Sequence, residues 1–162
     1  MENKLEQISN SQKDSWNKFS PGWGKWDDLT MGFLGPYGEE MIKLIEPTAN
    51  DAVLDVAAGT GEPGLSIAPM VKNGKVIITD LSEGMLKVAK EKIAAKGYDN
   101  IETASADVCQ LPFDDNTFDI VTCRFGYMFF PDMSLATSEM TRVLKPGGRI
   151  ATSVWGAPVN NF

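Results

Sequence analysis

The residues best suited to chemistry form a glycine-rich turn in the first half of the chain. The apolar run Val53-Leu54-Asp55-Val56 leads into Ala57-Ala58-Gly59-Thr60-Gly61-Glu62-Pro63-Gly64. Gly59, Gly61 and Gly64 satisfy the GxGxxG spacing, in which small residues let a backbone approach a ligand closely. The spacing alone is a weak signal, because an ordinary strand-to-helix turn can use the same residues.

Charges around this turn separate the candidate ligands. A dinucleotide places its pyrophosphate at the N-terminus of the following helix, where free N–H groups favour anions. Glu62 occupies that position, and Asp55 adds a second carboxylate just before the turn. Both charges would repel a pyrophosphate, so the turn favours a cationic ligand. Asp55 has two interpretations, since it can meet an ammonium group of the ligand or order the turn through backbone N–H groups.

Two more carboxylates follow later apolar runs. Asp80 ends the run Ile77-Ile78-Thr79-Asp80, about twenty residues beyond the glycines, where a carboxylate can accept both ribose hydroxyls of an adenosine. Asp107 can accept from an adenine amino group while the N–H of Val108 donates to the ring. A helix cap at Asp80 and a loop-stabilising role at Asp107 are the structural alternatives. The spacing fits either kind of adenosine-containing cofactor, a dinucleotide or a cationic adenosine derivative.

The composition excludes several classes of enzyme and partner. None of the 162 residues is a histidine, so Ser-His-Asp and Cys-His catalysis and the usual His-rich zinc sites are ruled out, and no metal site is predicted. The net charge of −7 argues against binding to nucleic acid or anionic lipid. Cys109 and Cys123 lack the CxxC spacing and are expected to be reduced thiols, and no run approaches a membrane span. We therefore expect one cytoplasmic domain that binds a small molecule.

A parallel sheet is the structure that can bring these turns together. Short apolar runs alternate with segments of helical period, which is the pattern of βαβ units and of the α/β class. The predicted strands are Ala52–Val56, Lys75–Thr79, Ile101–Ser105, Phe118–Cys123 and Arg149–Val154. The predicted helices are residues 1–20, Glu39–Ile45, Ser82–Lys96 and Ser134–Leu144, with a loop over Pro21–Trp26.

The N-terminal segment is predicted to differ in role from the sheet. Residues 1–36 form the predicted helical or lid segment, and residues 37–162 form the predicted ligand-binding domain. Four aromatic residues of the first segment fit either a lid that closes over the site or simple packing onto the sheet. They are Trp16, Phe19, Trp23 and Trp26. The run Tyr127-Met128-Phe129-Phe130 leaves the same choice between pocket wall and core.

Five motifs, in order and at compatible spacing, cover most of the chain. They are Val53–Gly61, Asp80–Leu86, Ala106–Phe113, Phe118–Val121 and Glu139–Gly148. Together they resemble the motifs of class I S-adenosylmethionine-dependent methyltransferases, and within that class the ubiquinone/menaquinone C-methyltransferase-like group. The resemblance implies a Rossmann-like three-layer sandwich.

The resemblance also implies a site for S-adenosylmethionine. Gly59 and Gly61 would line its methionine half, Asp80 would hold the ribose, and Asp107 with Val108 would read the adenine. The implied cofactor-binding residues are Asp55, Ala57, Gly59, Thr60, Gly61, Asp80, Leu81, Met85, Asp107, Val108, Arg124 and Phe125.

The implied activity is transfer of a methyl group to a small-molecule acceptor by in-line displacement, with S-adenosylhomocysteine as the product. Arg124 and Phe125 lie where such enzymes bring the methyl donor against the acceptor, and no catalytic residue is identified. Two alternatives stay open. One is a truncated cofactor-binding domain with little activity, and the other is an NAD-dependent oxidoreductase.

The end of the sequence departs from the family pattern. The resemblance implies a final helix and an antiparallel two-strand ending after the fifth strand, and the seven residues Gly156–Phe162 are too few to form them. The expected fold therefore has five parallel strands present and the C-terminal antiparallel hairpin missing. An uncovered sheet edge invites pairing with another chain, so a homo-oligomer through this edge is one prediction.

Overall fold

The computed structural model describes residues 4–157 and arranges them around one sheet. Its strands are β1 (Ala52–Val56), β2 (Lys75–Asp80), β3 (Ile101–Ser105), β4 (Phe118–Arg124) and β5 (Leu144–Ser153). Its helices are α1 (Lys4–Lys25), α2 (Asp27–Ile45), α3 (Gly64–Ile67), α4 (Glu83–Lys96) and α5 (Met133–Arg142). Two 3₁₀ turns cover Val108–Gln110 and Tyr127–Phe129.

The strands pair in the order β3-β2-β1-β4-β5, and every pair is parallel. The predicted α/β class with five parallel strands is confirmed. Strand β1 lies between β2 and β4, so the connections that leave β1 and β4 run in opposite directions. Ligands of open parallel sheets bind in the crevice that forms at such a switch point.

Alternating side chains build a hydrophobic core on each face of the sheet. On one face, Val53 and Val76 pack with buried residues of α2, α3 and α4. On the other face, Leu54 and Phe118 pack with Met140 of α5. Successive strand residues point to opposite faces, which explains why neighbours such as Val53 and Leu54 belong to different cores. The result is the three-layer arrangement that the resemblance implies.

Helix α4 begins and ends where the sequence predicts. The Ser82 hydroxyl accepts from the N–H of Met85 at 3.1 Å, and Gly97 takes a left-handed conformation with φ of 66° after the last turn. Both groups satisfy helix ends that would otherwise lack partners.

The predicted boundary between α5 and β5 is wrong. The helix ends at Arg142 rather than Leu144, and the strand begins at Leu144 rather than Arg149. Leu144 already pairs with Phe118, and a register shift separates that pair from the next, Ile120 with Arg149. The proline and glycines between them form an irregularity inside the strand rather than a turn before it.

The N-terminal segment is helical for longer than the sequence predicts. The loop predicted over Pro21–Trp26 is wrong, because α1 continues to Lys25 and α2 begins at Asp27. Proline cannot donate to the carbonyl of Asn17, four residues earlier, but the Ser20 hydroxyl donates to that carbonyl at 2.9 Å. This bond replaces the one that proline removes. The short helix predicted at Glu39–Ile45 is the last part of α2, which runs across the predicted segment boundary at residue 36.

Strand β5 is the last strand on its side of the sheet formed by residues 4–157. Ile150 and Val154 near its outer edge are 44% and 51% exposed. Pairing of this edge with another chain stays a prediction. No helix within residues 4–157 is both long enough and apolar enough to cross a membrane.

Two methionines of α5 provide a matched test of the second core. Met140 is fully buried against the sheet, whereas Met133 is 53% exposed on the same helix. We expect Met140→Ala to lower the free energy of unfolding by about 2–5 kcal/mol, because it opens a cavity, and Met133→Ala to lower it by less than about 1 kcal/mol. Urea denaturation of both variants measures the difference. Equal losses in the two variants would contradict the packing described here.

Candidate ligand-binding site

A cavity of about 260 Å³ lies at the carboxyl ends of β1, β2, β3 and β4. Its lining includes ten of the twelve residues implied by the motifs. They are Ala57, Gly59, Thr60, Asp80, Leu81, Met85, Asp107, Val108, Arg124 and Phe125. The other two, Asp55 and Gly61, do not line the cavity. The fold thus brings the turns after four strands into one site.

The glycine turn after β1 depends on left-handed backbone. Gly59 has φ of 57°, and Gly61 has φ of 108° and donates its N–H to the carbonyl of Ala58 at 2.9 Å. A Cβ atom on Gly61 would lie 2.7 Å from Leu65 Cδ1, so a side chain there would have to displace the buried Leu65 side chain as well as strain the backbone. Ala57 also has positive φ, 50°, which is unusual for a residue with a side chain. Gly61 therefore shapes the turn although it does not face the cavity.

Asp55 lies fully buried beneath this turn. One carboxylate oxygen accepts from the N–H of Gly64 at 2.7 Å, and the other accepts from the Thr122 hydroxyl of β4 at 2.7 Å. Burial raises the pKa of Asp55 to about 7. Of the two interpretations open for this residue, the geometry is that of turn ordering.

Glu62 closes the N-terminus of α3. Its carboxylate accepts from the N–H of Ser66 at 3.1 Å and from the Ser66 hydroxyl at 2.7 Å. The N–H of Gly64 donates to Asp55, and those of Leu65 and Ile67 donate to backbone carbonyls. Each of these four N–H groups already has a protein acceptor, so this helix end does not offer them to a pyrophosphate.

Asp80 joins the turns after β1 and β2. Its carboxylate accepts from the N–H of Gly59 at 2.8 Å and from the N–H of Ser82 at 2.8 Å. Burial raises the pKa of Asp80 above the usual aspartate range. The residue is therefore both part of the start of α4 and a wall of the cavity. An ionised carboxylate has about four acceptor positions, so it can still accept from a ligand.

Asp107 has the corresponding place after β3. One carboxylate oxygen accepts from the N–H of Cys109 at 2.8 Å, which stabilises the loop, and the other accepts from the Ser9 hydroxyl of α1 at 2.8 Å. Val108 lies beside it in the cavity wall and is 7% exposed. Helix α1 thus covers this end of the site through a direct hydrogen bond.

Arg124 is the last residue of β4 and the only cation among the described residues that line the cavity. Its Nε donates to the carbonyl of Glu62 at 3.2 Å, and Nη2 contacts the sulfur of Met31 at 3.8 Å. The third nitrogen, Nη1, is buried and has no hydrogen-bond partner within the part of the chain that the structure describes. Burial lowers the pKa of Arg124, although the nearby carboxylates of Asp55, Glu62 and Asp27 oppose this effect.

Helix α1 supplies lining residues that the motifs do not indicate. They are Ser9, Gln12, Trp16 and Trp23. Trp16 also packs on Phe129 with ring centroids 5.1 Å apart, so both the lid and the packing interpretation apply to it. Ser9 and Gln12 belong to no motif, but Gln12 lies three residues after Ser9 and four before Trp16, which places all three on one helical face. That shared face was the signal available in the sequence.

Aromatic side chains form the wall nearest Arg124. The rings of Phe125 and Trp155 stack with centroids 4.5 Å apart, and Tyr37 meets Phe125 edge-on at 5.2 Å. Phe129 and Phe130 also line the cavity, and Phe130 packs together with Tyr127 against the core beside α5. Both interpretations of the run 127–130 therefore apply: it contributes to the cavity wall and to the core.

A parallel sheet with a glycine turn after β1 and acidic side chains after β2 and β3 is a Rossmann-like arrangement, which class I S-adenosylmethionine-dependent methyltransferases share with dinucleotide-binding domains. Known proteins agree with this class. A sequence profile described as the ubiE/COQ5 methyltransferase family matches residues 29–158. The chain belongs to the ubiE/COQ5 methyltransferase family.

Individual relatives match only part of their own length. The ubiquinone/menaquinone biosynthesis C-methyltransferase UbiE of Teredinibacter turnerae is 41% identical over 123 residues, which are 75% of this chain and 49% of that protein. The crystal structure of a putative methyltransferase from Bacillus halodurans is 38% identical with a TM-score of 0.70, covering 76% of this chain and 52% of that one. A SAM dependent methyltransferase from Aquifex aeolicus is 29% identical with a TM-score of 0.68, covering 73% and 63%. The chain spans about half the length of the curated relatives it matches.

The buried Asp55 predicts a pH dependence of stability. Its pKa is raised to about 7 in the folded chain, so folding takes up a proton at this site between about pH 4 and pH 7. The free energy of unfolding is therefore highest at low pH and falls as the pH rises to 7, by up to about 1.4 kcal/mol per pH unit. We expect Asp55→Asn to flatten this slope, because asparagine has no ionisable group. Its amide oxygen can still accept from the N–H of Gly64, and its amide nitrogen can donate to the Thr122 hydroxyl.

Urea denaturation at several pH values between 4 and 7 measures the slope. Asp114→Asn, which removes a carboxylate from an exposed loop, is the control and should follow the unsubstituted chain. An unchanged slope in Asp55→Asn would show that the Asp55 carboxyl group does not take up a proton on folding.

Proposed function

We propose that this chain binds S-adenosylmethionine in the cavity and transfers its methyl group to a small-molecule acceptor. The observation that carries the proposal is the order of groups along the carboxyl edge of the sheet. Asp107 follows β3, Asp80 follows β2, and the glycine turn follows β1. Adenine, ribose and methionine follow one another in the same order in the cofactor.

The cavity residues fit this ligand chemically. Asp80 and Asp107 offer acceptors to ribose hydroxyls and to the adenine amino group, and Val108 offers an apolar wall beside the ring. Arg124 adds a positively charged side chain to the cavity wall. When bound, the cofactor supplies a methyl group that its sulfonium has already activated.

Positioning is the contribution we assign to the protein. Helix α1 covers the adenosine end through Ser9 and Trp16, and this cover limits access of water. Holding an acceptor in line with an activated methyl group can accelerate transfer without a protein nucleophile. The acceptor atom gains the methyl group and loses a proton, and no residue is assigned as the base.

The acceptor is proposed from the relatives and from the wall of the cavity. The matched relative of Teredinibacter turnerae is named a C-methyltransferase of ubiquinone and menaquinone biosynthesis. The stacked rings of Phe125 and Trp155 suit a flat, apolar ring. We therefore propose an acceptor of the quinol type for this chain.

The alternatives are weaker on specific grounds. A dinucleotide needs free N–H groups at the start of α3, where Asp55 and Glu62 already accept from Gly64 and Ser66. A cofactor-binding domain with little activity has the same site, so only a transfer assay separates it from an enzyme. The cytoplasmic location, the absence of nucleic-acid partners and the homo-oligomer stay proposals.

Ligand titration tests the cofactor assignment. We expect the chain to bind S-adenosylhomocysteine in isothermal titration calorimetry and to bind NADH far more weakly. Asp80→Asn should weaken S-adenosylhomocysteine binding by about 1–3 kcal/mol, because it removes the charged acceptor for the ribose hydroxyls. Asp114→Asn is the control for loss of one negative charge. Tight binding of NADH alone would reverse the assignment.

A transfer assay tests the activity itself. The chain is incubated with S-adenosylmethionine labelled on its methyl group and with a panel of quinols and small amines. We expect label in a quinol and none in the amines. Intact cofactor binding with no transfer to any acceptor would favour the domain with little activity.

A further inference from the structure

Three side chains join the start of α2, the glycine turn and α4. The Asp27 carboxylate accepts from the Thr60 hydroxyl at 3.1 Å and from the Lys92 ammonium group at 2.8 and 3.0 Å. Asp27 is the first residue of α2, Thr60 lies in the glycine turn, and Lys92 belongs to α4. Asp27 and Lys92 lie outside the five motifs, so the motifs do not indicate this link.

The ion pair in this link is largely sheltered from solvent. The side chains of Lys92 and Asp27 are 20% and 22% exposed, whereas those of a second pair on α2, Lys43 and Glu40, are 68% and 69% exposed. Exposed ion pairs contribute little, but partly buried pairs are screened much less by water and salt. The sheltered pair is therefore suited to hold a neighbouring group such as the Thr60 hydroxyl in one place.

The middle of the glycine turn needs support from outside. Thr60 lies between Gly59 and Gly61, whose φ angles are 57° and 108°. Glycine adopts many backbone conformations when nothing holds it, so contacts with the rest of the chain must select this one. Asp80 fastens the N–H of Gly59 from β2. Asp27 fastens the next residue along the turn from the helical layer.

We infer that Asp27 is a positioning residue, which holds the glycine turn in its ligand-binding shape through the Thr60 hydroxyl, with Lys92 as its counter-ion. This inference rests on the proposed function. Thr60 lines the cavity and is 7% exposed, so a shift of the turn changes the cavity wall. Asp27 itself does not line this cavity. The competing assignment is an electrostatic effect of the Asp27 charge on Arg124, which acts without Thr60.

Amide hydrogen exchange in the ligand-free chain, followed by NMR, tests the positioning role without a ligand. We expect Asp27→Ala to speed exchange of the Gly59 and Gly61 amides by about fivefold or more beyond any change in the amides of β4, because the turn loses the contact at Thr60. Asp28→Asn is the matched control, since it removes an exposed carboxylate from the same turn of α2 and should leave these amides unchanged. Equal acceleration in the turn and in β4 would overturn the inference, because it would show only a general loss of stability.

A double-mutant cycle with S-adenosylhomocysteine, measured by calorimetry, tests the path to the ligand. We expect Asp27→Ala and Thr60→Val each to weaken binding by about 5- to 20-fold. The double variant should bind less than about twofold more weakly than Thr60→Val alone, because both substitutions remove the same link. Asp28→Asn should bind as the unsubstituted chain does. Losses that multiply in the double variant would assign the effect of Asp27 to its charge on Arg124 and overturn the inference.

The other outcomes also decide. Unchanged binding of S-adenosylhomocysteine by Asp27→Ala would overturn the inference. If Asp27→Ala does not fold, judged by thermal melting, Thr60→Val breaks the same link from the other side and must show the local acceleration of exchange for the inference to stand. If the unsubstituted chain does not bind S-adenosylhomocysteine, the proposed function is rejected, and the exchange measurement still decides whether Asp27 holds the turn.

Discussion

The buried carboxylate of Asp55 is the interaction on which the site depends. It joins β1 to the N–H of Gly64 beyond the glycine turn and to Thr122 of β4, at 2.7 Å in each case. These two bonds fix the turn against the neighbouring strand at the point where the sheet opens its crevice. A carboxyl group in this position must lose its water, which explains its raised pKa.

The rest of the site is built onto this fixed turn. Asp80 reaches the turn from β2 through the N–H of Gly59, and Arg124 reaches it from β4 through the carbonyl of Glu62. The turn is therefore held by side chains of three adjacent strands. Many polar groups here have protein partners, and Nη1 of Arg124 is a buried exception without one among residues 4–157.

Much of the fold could be predicted because strands and caps leave local signals. The limits of β1 and β3 agree with the predicted strands, and Ser82 and Gly97 mark the ends of α4. Long-range contacts leave no such signal. The sequence predicts that Pro21 breaks the helix, because the bond from the Ser20 hydroxyl to the Asn17 carbonyl cannot be foreseen. It also places Leu144 in the helix, because the pairing of Leu144 with Phe118 has no local signal.

The candidate site shows the same contrast between local signals and long-range contacts. Ten of the twelve cofactor-binding residues that the resemblance implies line the cavity, but the two interpretations of Asp55 needed its burial and its partners. A crystal structure of this chain with S-adenosylhomocysteine tests the central claim most directly. We expect adenine beside Asp107, ribose at Asp80 and the amino acid at the glycine turn. A ligand bound in the reverse order, or outside this cavity, would contradict the account.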